Sequence, residues 1–198
     1  AEKITSPEQA EEWLKQAIHS INQTILDHST TNEECKGMGT TVVAAICTNE
    51  FVTIAHIGDS RCYLANQYGF KQVTEDHSLV NELVRTGQIT EEDAKDHPRK
   101  NIVLKALGTE PTVIADIQSF SFEEGDRLLL CSDGLTDKLT NQELSNFVQS
   151  HDDIKVVAQK MIDLANERGG EDNISLVLIR HEPQEKVGED DARRSPIE

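Results

Sequence analysis

The stretch GDRLLLCSDGLTD (125–137) combines an apolar run with a Ser-Asp-Gly turn that follows it directly. Residues 127–131 are apolar enough to form a central strand of a sheet. A turn at the end of that strand would project the carboxylate of Asp133 from the rim of the sheet. Gly134 would permit the sharp turn and a close approach of the backbone to a ligand. The alternative is an ordinary turn in which Asp133 bonds to its own backbone.

Two further acidic turns border strand-like runs elsewhere in the chain. GDS (58–60) separates two such runs, and GEDN (170–173) lies between a helix terminator and the last run. Each turn by itself is compatible with a purely structural role. If Asp59, Asp133 and Asp172 meet at one rim, however, their charges repel unless a cation lies between them. Ligands that are all oxygens suit Mg²⁺ or Mn²⁺.

The rest of the chain predicts groups of strands and helices. Helices are predicted at 6–28, 140–150 and 152–168, with Ser6 and Thr140 as N-caps. Strands are predicted at 40–47, 51–57, 61–65, 70–73, 112–122, 126–131 and 173–180. We interpret the first four strands as one antiparallel meander. The pattern indicates an α+β fold in which helices cover antiparallel sheets.

Two segments differ from this pattern. Residues 78–97 predict two short helices split at Gly87, with Thr90 capping the second, and their low apolar content predicts a mobile surface insertion. Residues 182–198 are polar and unpatterned, which predicts a disordered acidic tail. We therefore predict a single domain at residues 1–181, followed by the tail.

Composition narrows the classes of function. The 36 acidic residues outnumber the 19 basic ones and give a net charge of −17. Such a negative surface repels nucleic acid and anionic membranes, so we expect neither as a partner. The four cysteines form no C-x-x-C pair; this argues against a zinc site or a disulfide framework and favours a reducing, cytoplasmic location.

Six stretches of the chain follow the order of a known family. They are GMGTTVVAA (37–45), VTIAHIGDSRCYL (52–64), TEDHSLVNELVRTGQIT (74–90), NIVLKALGT (101–109), GDRLLLCSDGLTD (125–137) and GGEDNISLVLI (169–179). The chain resembles the type-2C metal-dependent protein serine/threonine phosphatases in their bacterial form. The resemblance implies two antiparallel β-sheets sandwiched between pairs of helices, in an α-β-β-α order. It also implies hydrolysis of phosphoserine and phosphothreonine in proteins with Mn²⁺ or Mg²⁺, in which a metal-activated water attacks phosphorus directly.

The resemblance also implies roles for particular residues. Asp133 and Asp172 would be ligands of a catalytic centre with two ions, and Asp59 would share a weaker third ion with Asp133. The ligand turns would be supported by Gly134, Asn173 and Ser60. Residues 78–100 would form a flap that influences substrate access, with His77, Ser78 and Asn81 at its start.

The chain departs from the family in one segment. The family begins with two strands that carry an arginine and an acidic pair, followed by an Asp-Gly-x-Gly-Gly turn whose aspartate bridges the catalytic ions. Nothing in the 198 residues matches this segment. We therefore predict sheets that are incomplete at the N-terminal strands, and little or no activity for these residues alone.

The expected partners follow from the resemblance. Phosphorylated proteins would be substrates, a serine/threonine kinase would be a cognate partner by analogy, and the protein would be a monomer. The alternative is a non-enzymatic relative of the same fold that binds phosphoproteins. The three acidic turns favour the enzyme, because a binding module has no need of converging carboxylates.

Overall fold

The computed structural model describes residues 3–182, which form six α-helices and seven strands. The helices are α1 (Pro7–Thr31), α2 (Leu79–Arg85), α3 (Glu91–Lys95), α4 (Asp133–Thr136), α5 (Asn141–Val148) and α6 (Ile154–Glu167). The strands are β1 (Val42–Cys47), β2 (Phe51–Ile57), β3 (Arg61–Asn66), β4 (Gly69–Gln72), β5 (Asp116–Ser121), β6 (Arg127–Cys131) and β7 (Leu176–Arg180). A short 3₁₀ helix at Glu33–Cys35 follows α1.

The strands form two antiparallel sheets. The first sheet has the order β1-β2-β5, and the second has the order β4-β3-β6-β7. Helix α1 packs on the outer face of the first sheet, and α5 and α6 pack on the outer face of the second. The predicted α+β fold with its α-β-β-α order of layers is therefore confirmed.

Three apolar clusters fill the spaces between these four layers. Leu14 of α1 packs with Ile57 of β2 in the first cluster, and Ile54 of β2 packs against the second sheet in the next. Leu129 of β6 and Met161 of α6 belong to the third cluster. Alternate side chains of a strand point to opposite faces, so β2 contributes to two clusters and every one of its residues is buried. Close packing on both faces makes the strand ends well-defined positions for side chains.

The predicted meander of four strands is wrong in one respect. Strand β2 pairs with β1 and β5, whereas β3 pairs with β4 and β6. The chain therefore crosses from the first sheet to the second at residues 58–60 instead of forming a hairpin there. Gly58 has a φ of +105°, and a Cβ on this residue would overlap the side chain of Thr41. The crossing therefore depends on a residue without a side chain.

Strands β1, β5 and β7 begin two, four and three residues later than predicted. Residues 112–115 are not strand, and β5 begins at Asp116. The segment just before them is bound to α1, since the side-chain amides of Asn22 and Gln23 donate to the carbonyl oxygens of Glu110 and Pro111. Residues 173–175 are not strand either, and β7 begins at Leu176.

The predicted N-caps are confirmed, whereas α6 begins at Ile154, two residues after its predicted start. Gln9 N donates to Ser6 Oγ over 3.3 Å, while Thr90 and Thr140 each form a capping box with the acidic residue three positions later. Helix α1 extends to Thr31, three residues beyond its predicted end at 28. No helix within residues 3–182 is both long and apolar enough to cross a membrane. Apart from residue 182, the predicted tail lies outside the described residues.

Candidate metal centre

One end of the four-stranded sheet brings together the three acidic turns. In the antiparallel register, Arg61 of β3 lies opposite Cys131 of β6, which in turn lies opposite Leu176 of β7. The residues before β3, after β6 and before β7 therefore share one rim of the sheet. Asp59, Asp133 and Asp172 lie in these three segments. The structure thus places the predicted ligands at one rim, as the sequence analysis required.

The turns of Asp133 and Asp172 are bound to each other through Ser132. Its hydroxyl donates to the carbonyl oxygen of Asn173 over 3.1 Å and accepts from Ser175 N over 3.0 Å. Ser132 N also donates to Ser175 O over 3.0 Å. These bonds satisfy the backbone before β7 without a strand partner, which explains why β7 starts late.

Gly134 has a different role from the predicted one. Asp133 begins the short helix α4, and Gly134 is not among the glycines with positive φ. A Cβ on Gly134 would instead overlap the backbone carbonyl of Asn173. Gly134 therefore allows the two ligand turns to approach each other closely, and the prediction of a sharp turn at this glycine is wrong.

The carboxylates of the rim interact unfavourably with each other. Burial raises the pKa of Asp133, and the negative charge of Asp172 raises it further. Burial also raises the pKa of Asp59, with the charge of Asp133 as the next cause. Each shift means that ionisation is more difficult here than in water. A cation among these groups would remove the repulsion, so the donor set fits a divalent ion.

The donor atoms of the rim suit an ion that retains some of its water. His56, His77 and Asp116 have ligand atoms that all lie within 4.8 Å of one another. Among residues 3–182, they are the one group of three or more His, Cys, Asp or Glu side chains that is packed this closely. The three rim aspartates do not form a second group of this kind. Mg²⁺ keeps several waters and takes only one or two carboxylates directly. All-oxygen donors match such an ion better than a transition metal held by nitrogen or sulfur.

The predicted supporting and flap residues contact the base of the site. Ser60 Oγ lies 2.9 Å from Thr41 Oγ1, which links the crossing segment to the start of the first sheet. Ser78 caps α2 by accepting from Asn81 N over 3.3 Å. Asn81 Nδ2 donates to the carbonyl oxygen of Asp76 over 2.9 Å. His77 lies against Gly58, whose N–H donates to His77 Nδ1 over 3.1 Å. These residues therefore anchor the flap near the turn of Asp59.

Sequence reasoning missed several residues that hold the rim together. Arg61 Nη2 lies 2.7 Å from Asp76 Oδ2 in a mostly buried ion pair. Ser132 was included in the stretch 125–137, but its bonds to the turn of Asp172 were not predicted. The register of β6 and β7 would have revealed the role of Ser132, because it places residue 132 beside residue 175. The Arg61–Asp76 pair has no comparable signal, since it joins a strand to a distant loop.

Comparison with known proteins decides the family. The family model described as Protein phosphatase 2C matches residues 2–171. The chain belongs to the protein phosphatase 2C family. It is 44% identical over 183 residues to the serine/threonine phosphatase stp of Listeria monocytogenes. This alignment covers 92% of this chain and 73% of that protein. It is 38% identical over 179 residues to the protein phosphatase PhpP of Streptococcus pneumoniae, covering 89% and 72% of the two chains.

Solved structures agree with this assignment to the protein phosphatase 2C family. A crystal structure of a bacterial serine phosphatase matches with a TM-score of 0.86 and 38% identity, over 93% of this chain and 75% of that one. The catalytic domain of the serine/threonine protein phosphatase PstP, in complex with two manganese ions, matches with a TM-score of 0.80 and 30% identity. That match covers 89% of this chain and 72% of that domain.

As a member of the protein phosphatase 2C family, the chain is a protein serine/threonine phosphatase, and its substrates are phosphoproteins. The family is metal-dependent, which agrees with the rim of carboxylates. The predicted activity class is confirmed. The relatives are named as phosphatases, which favours the enzyme over the alternative of a non-catalytic phosphoprotein-binding module.

Proposed function

We propose that this phosphatase hydrolyses phosphoserine and phosphothreonine at the rim formed by Asp59, Asp133 and Asp172. Asp133 and Asp172 would be ligands of two catalytic Mn²⁺ or Mg²⁺ ions. Asp59 would bind a third, weaker ion together with Asp133. The observation that carries this proposal is the pairing of β3, β6 and β7, which brings the turns of the three aspartates to one rim of the sheet.

Bound divalent ions would neutralise phosphoryl oxygens and lower the pKa of a coordinated water. The chain's own contribution is to hold the carboxylates in place. Ser132 fixes the turn of Asp133 against the turn of Asp172. The bonds from Asn173 N to Asp172 Oδ1 over 2.7 Å and from Gly134 N to Asp133 Oδ1 over 2.9 Å orient one oxygen of each ligand.

The assignment of two ion classes follows from the positions of the aspartates. Asp133 and Asp172 lie on turns that are directly hydrogen-bonded to each other, whereas Asp59 lies on the crossing between the sheets. A carboxylate on a separately anchored segment can hold an ion whose loss leaves the other two ligands in place. The manganese-bound PstP domain is named with two ions, which agrees with a two-ion core and a weaker third.

The wider setting of the enzyme is also a proposal. Residues 1–181 would be the phosphatase domain, with residues 78–100 as the flap over the substrate. The enzyme would act as a monomer in the cytoplasm, in bacterial signalling, against a serine/threonine kinase. The net charge of −17 supports a partner other than nucleic acid or an anionic membrane. These 198 residues alone would have little or no turnover, because they contain no match to the family's bridging aspartate motif.

The proposal is tested on the full-length protein encoded by the gene. Its turnover of a phosphothreonine peptide is measured after chelation and then during titration with Mn²⁺ or Mg²⁺. We expect activity that is absent after chelation and restored by either ion, and that is lost in Asp172→Asn. Turnover that is unaffected by chelation, or an Asp172→Asn variant as active as the wild type, would contradict the metal centre proposed here. Asp163→Asn on the exposed face of α6 serves as the charge-matched control.

A further inference from the structure

His77 has both ring nitrogens committed to neighbouring groups. Gly58 N donates to His77 Nδ1 over 3.1 Å. A backbone N–H can only donate, so Nδ1 must carry a lone pair, and the proton of the neutral ring is on Nε2. Nε2 faces Asp116 Oδ2 at 3.3 Å, and this oxygen can accept that proton in a hydrogen bond. Lys105 Nζ, which can only donate, also lies 3.3 Å from Nε2, but a neutral ring cannot accept at both nitrogens. The bond from Gly58 N to Nδ1, together with the acceptor Asp116 beside Nε2, therefore selects the tautomer protonated on Nε2, and the Lys105 ammonium interacts with Asp116 Oδ1 at 3.6 Å instead.

A second bond closes a ring between His77 and Gly58. His77 N donates to Gly58 O over 2.9 Å, in addition to the bond from Gly58 N to the imidazole. Both polar groups of the Gly58 backbone are thus bound by the same residue. His77 O is held in turn, because it accepts from Leu104 N over 2.7 Å. The residue that follows Gly58 is Asp59. The two hydrogen bonds between His77 and Gly58 therefore fix the backbone from which the Asp59 side chain projects.

The imidazole itself is held from two sides. It stacks on His56 with ring centroids 4.7 Å apart and an interplanar angle of 9°. His56 is buried in β2, and its Nε2 lies 2.9 Å from the carbonyl oxygen of Glu75. Asp116, the acceptor for His77, is the cross-strand partner of His56 on β5. The side chain of His77 is only 10% exposed, so the ring has little freedom to reorient.

We propose that His77 is a positioning residue of the phosphatase reaction: its neutral imidazole, protonated on Nε2, binds Gly58 and so directs the carboxylate of Asp59 toward Asp133. This inference rests on the proposed function, because it assigns His77 to the support of one proposed ligand. It goes beyond the proposed function in treating an uncharged ring outside the metal centre as part of its geometry.

The alternative for the same cluster is a transition-metal site made of His56, His77 and Asp116. The three ligand atoms are close enough, within 4.8 Å of one another. A metal on His77 Nε2 would, however, require the proton to move to Nδ1 and the bond from Gly58 to break. Lys105 Nζ also lies 3.3 Å from His77 Nε2 and 3.6 Å from Asp116 Oδ1, which adds a positive charge beside any cation. The observed bonds therefore favour positioning over metal binding.

Three variants of the full-length protein separate the two nitrogens of His77. In His77→Asn the side-chain oxygen can take the place of Nδ1 and still accept from Gly58 N, but it cannot reach Asp116. In His77→Gln the amide lies near the place of Nε2 and loses the bond to Gly58. In His77→Ala both bonds are lost. Turnover of the phosphothreonine peptide is measured for each variant as a function of Mn²⁺ concentration.

We expect His77→Asn to keep turnover close to that of the wild type. In His77→Gln and His77→Ala, we expect turnover to fall, or the Mn²⁺ concentration for half-maximal activity to rise, by up to about 10-fold, the loss expected when the carboxylate of Asp59 itself is removed. Equal losses in the Asn and Gln variants would indicate a merely structural role and would overturn the inference, as would wild-type behaviour of the Gln and Ala variants. An inactive wild-type enzyme would instead contradict the proposed function.

A measurement on the wild type stands independently of activity. Nitrogen-15 spectra of the histidine side chains report which ring nitrogen carries the proton, with His77→Gln identifying the signal. We expect a neutral His77 protonated on Nε2 at neutral pH. A ring protonated on Nδ1 would overturn the inference. So would stoichiometric binding of Zn²⁺ that is lost in His56→Ala, because the cluster would then be a metal site.

Discussion

The rim of the second sheet and the flap differ in how they are held, although both are proposed parts of the same active site. The rim follows buried strands, and its two ligand turns are joined by Ser132. Helices α2 and α3 of the flap contain no buried residue. They rely on local contacts such as the exposed ion pair of Arg85 and Glu82. If the proposed roles hold, the rim arranges charge on a rigid support, and the flap controls access through a segment of low local stability.

The largest effect is expected from the rim. Asp133→Asn removes the carboxylate that would serve all the ions, and several kcal/mol of transition-state stabilisation with it. We expect turnover to fall by more than ~100-fold and Mn²⁺ binding to be lost. Peptide turnover and calorimetric titration with Mn²⁺ measure the two effects. A variant that keeps wild-type turnover would show that the rim is not the reaction centre.

A pair of glycines compares the two regions directly. In Gly134→Ala the new Cβ would overlap the backbone of Asn173, which we expect to lower the free energy of unfolding by about 1–3 kcal/mol and to reduce turnover. In Gly87→Ala of the flap the Cβ meets nothing within 4 Å, but φ is +71°, so strain of about 1–2 kcal/mol should remain local. Urea unfolding and peptide turnover are measured for both. Equal global destabilisation would refute the contrast between rim and flap.

Asp59→Asn should have a smaller effect than Asp133→Asn. Asp59 lies on the crossing segment, and the bonds between the other two ligand turns do not involve it. We expect turnover to fall by about 10-fold, while the tighter class of Mn²⁺ sites is retained in calorimetry. Loss of Mn²⁺ binding as complete as in Asp133→Asn would contradict this division of roles.

The ion pair of Lys100 and Asp137, which connects the flap to the rim, should have a smaller effect on turnover than Asp59. Lys100 Nζ lies 3.3 Å from Asp137 Oδ2, and both side chains are almost half exposed. An exposed pair contributes at most about 1 kcal/mol, so Lys100→Met should leave the free energy of unfolding nearly unchanged. Because the pair joins the end of the flap to the residue after α4, we expect a change in KM for the peptide of no more than about 3-fold, with kcat preserved. A large fall in kcat would show that the flap belongs to the rigid part.

The effect with the least bearing on turnover concerns acid stability. Hydrogen bonds from Arg168, and then from Thr140, lower the pKa of Glu143 from 4.5 to about 2. Arg168 Nη1 also donates to Lys138 O over 2.7 Å. A lowered carboxyl pKa means that this stabilisation is complete above the unfolded value and is lost as the pH falls toward the folded one. Arg168→Met should therefore be less stable than the wild type at about pH 5, with the difference shrinking toward about pH 3, as measured by urea unfolding.

The features that sequence could predict are those with local signals. Strand β2 was predicted to the residue, and Ser6, Thr90 and Thr140 were recognised as caps, because periodicity and capping lie within a few neighbouring residues. The crossing at residues 58–60 was not predicted, because a short glycine turn between two strands is equally compatible with a hairpin. The bonds of Ser132 and His77 depend on register and on contacts between distant segments. The shared rim of the aspartates was predicted only by combining their motifs.

The crossing of the chain at Gly58 also affects how the protein folds. Asp59, Asp133 and Asp172 are far apart in the sequence and meet only after β3, β6 and β7 have paired. Contacts that close long loops require a large loss of chain entropy and form slowly. We therefore expect the rim to be completed late, after the local helices and hairpins. Divalent ions would then stabilise the finished native state by mass action, without serving as a template around which the chain first collapses.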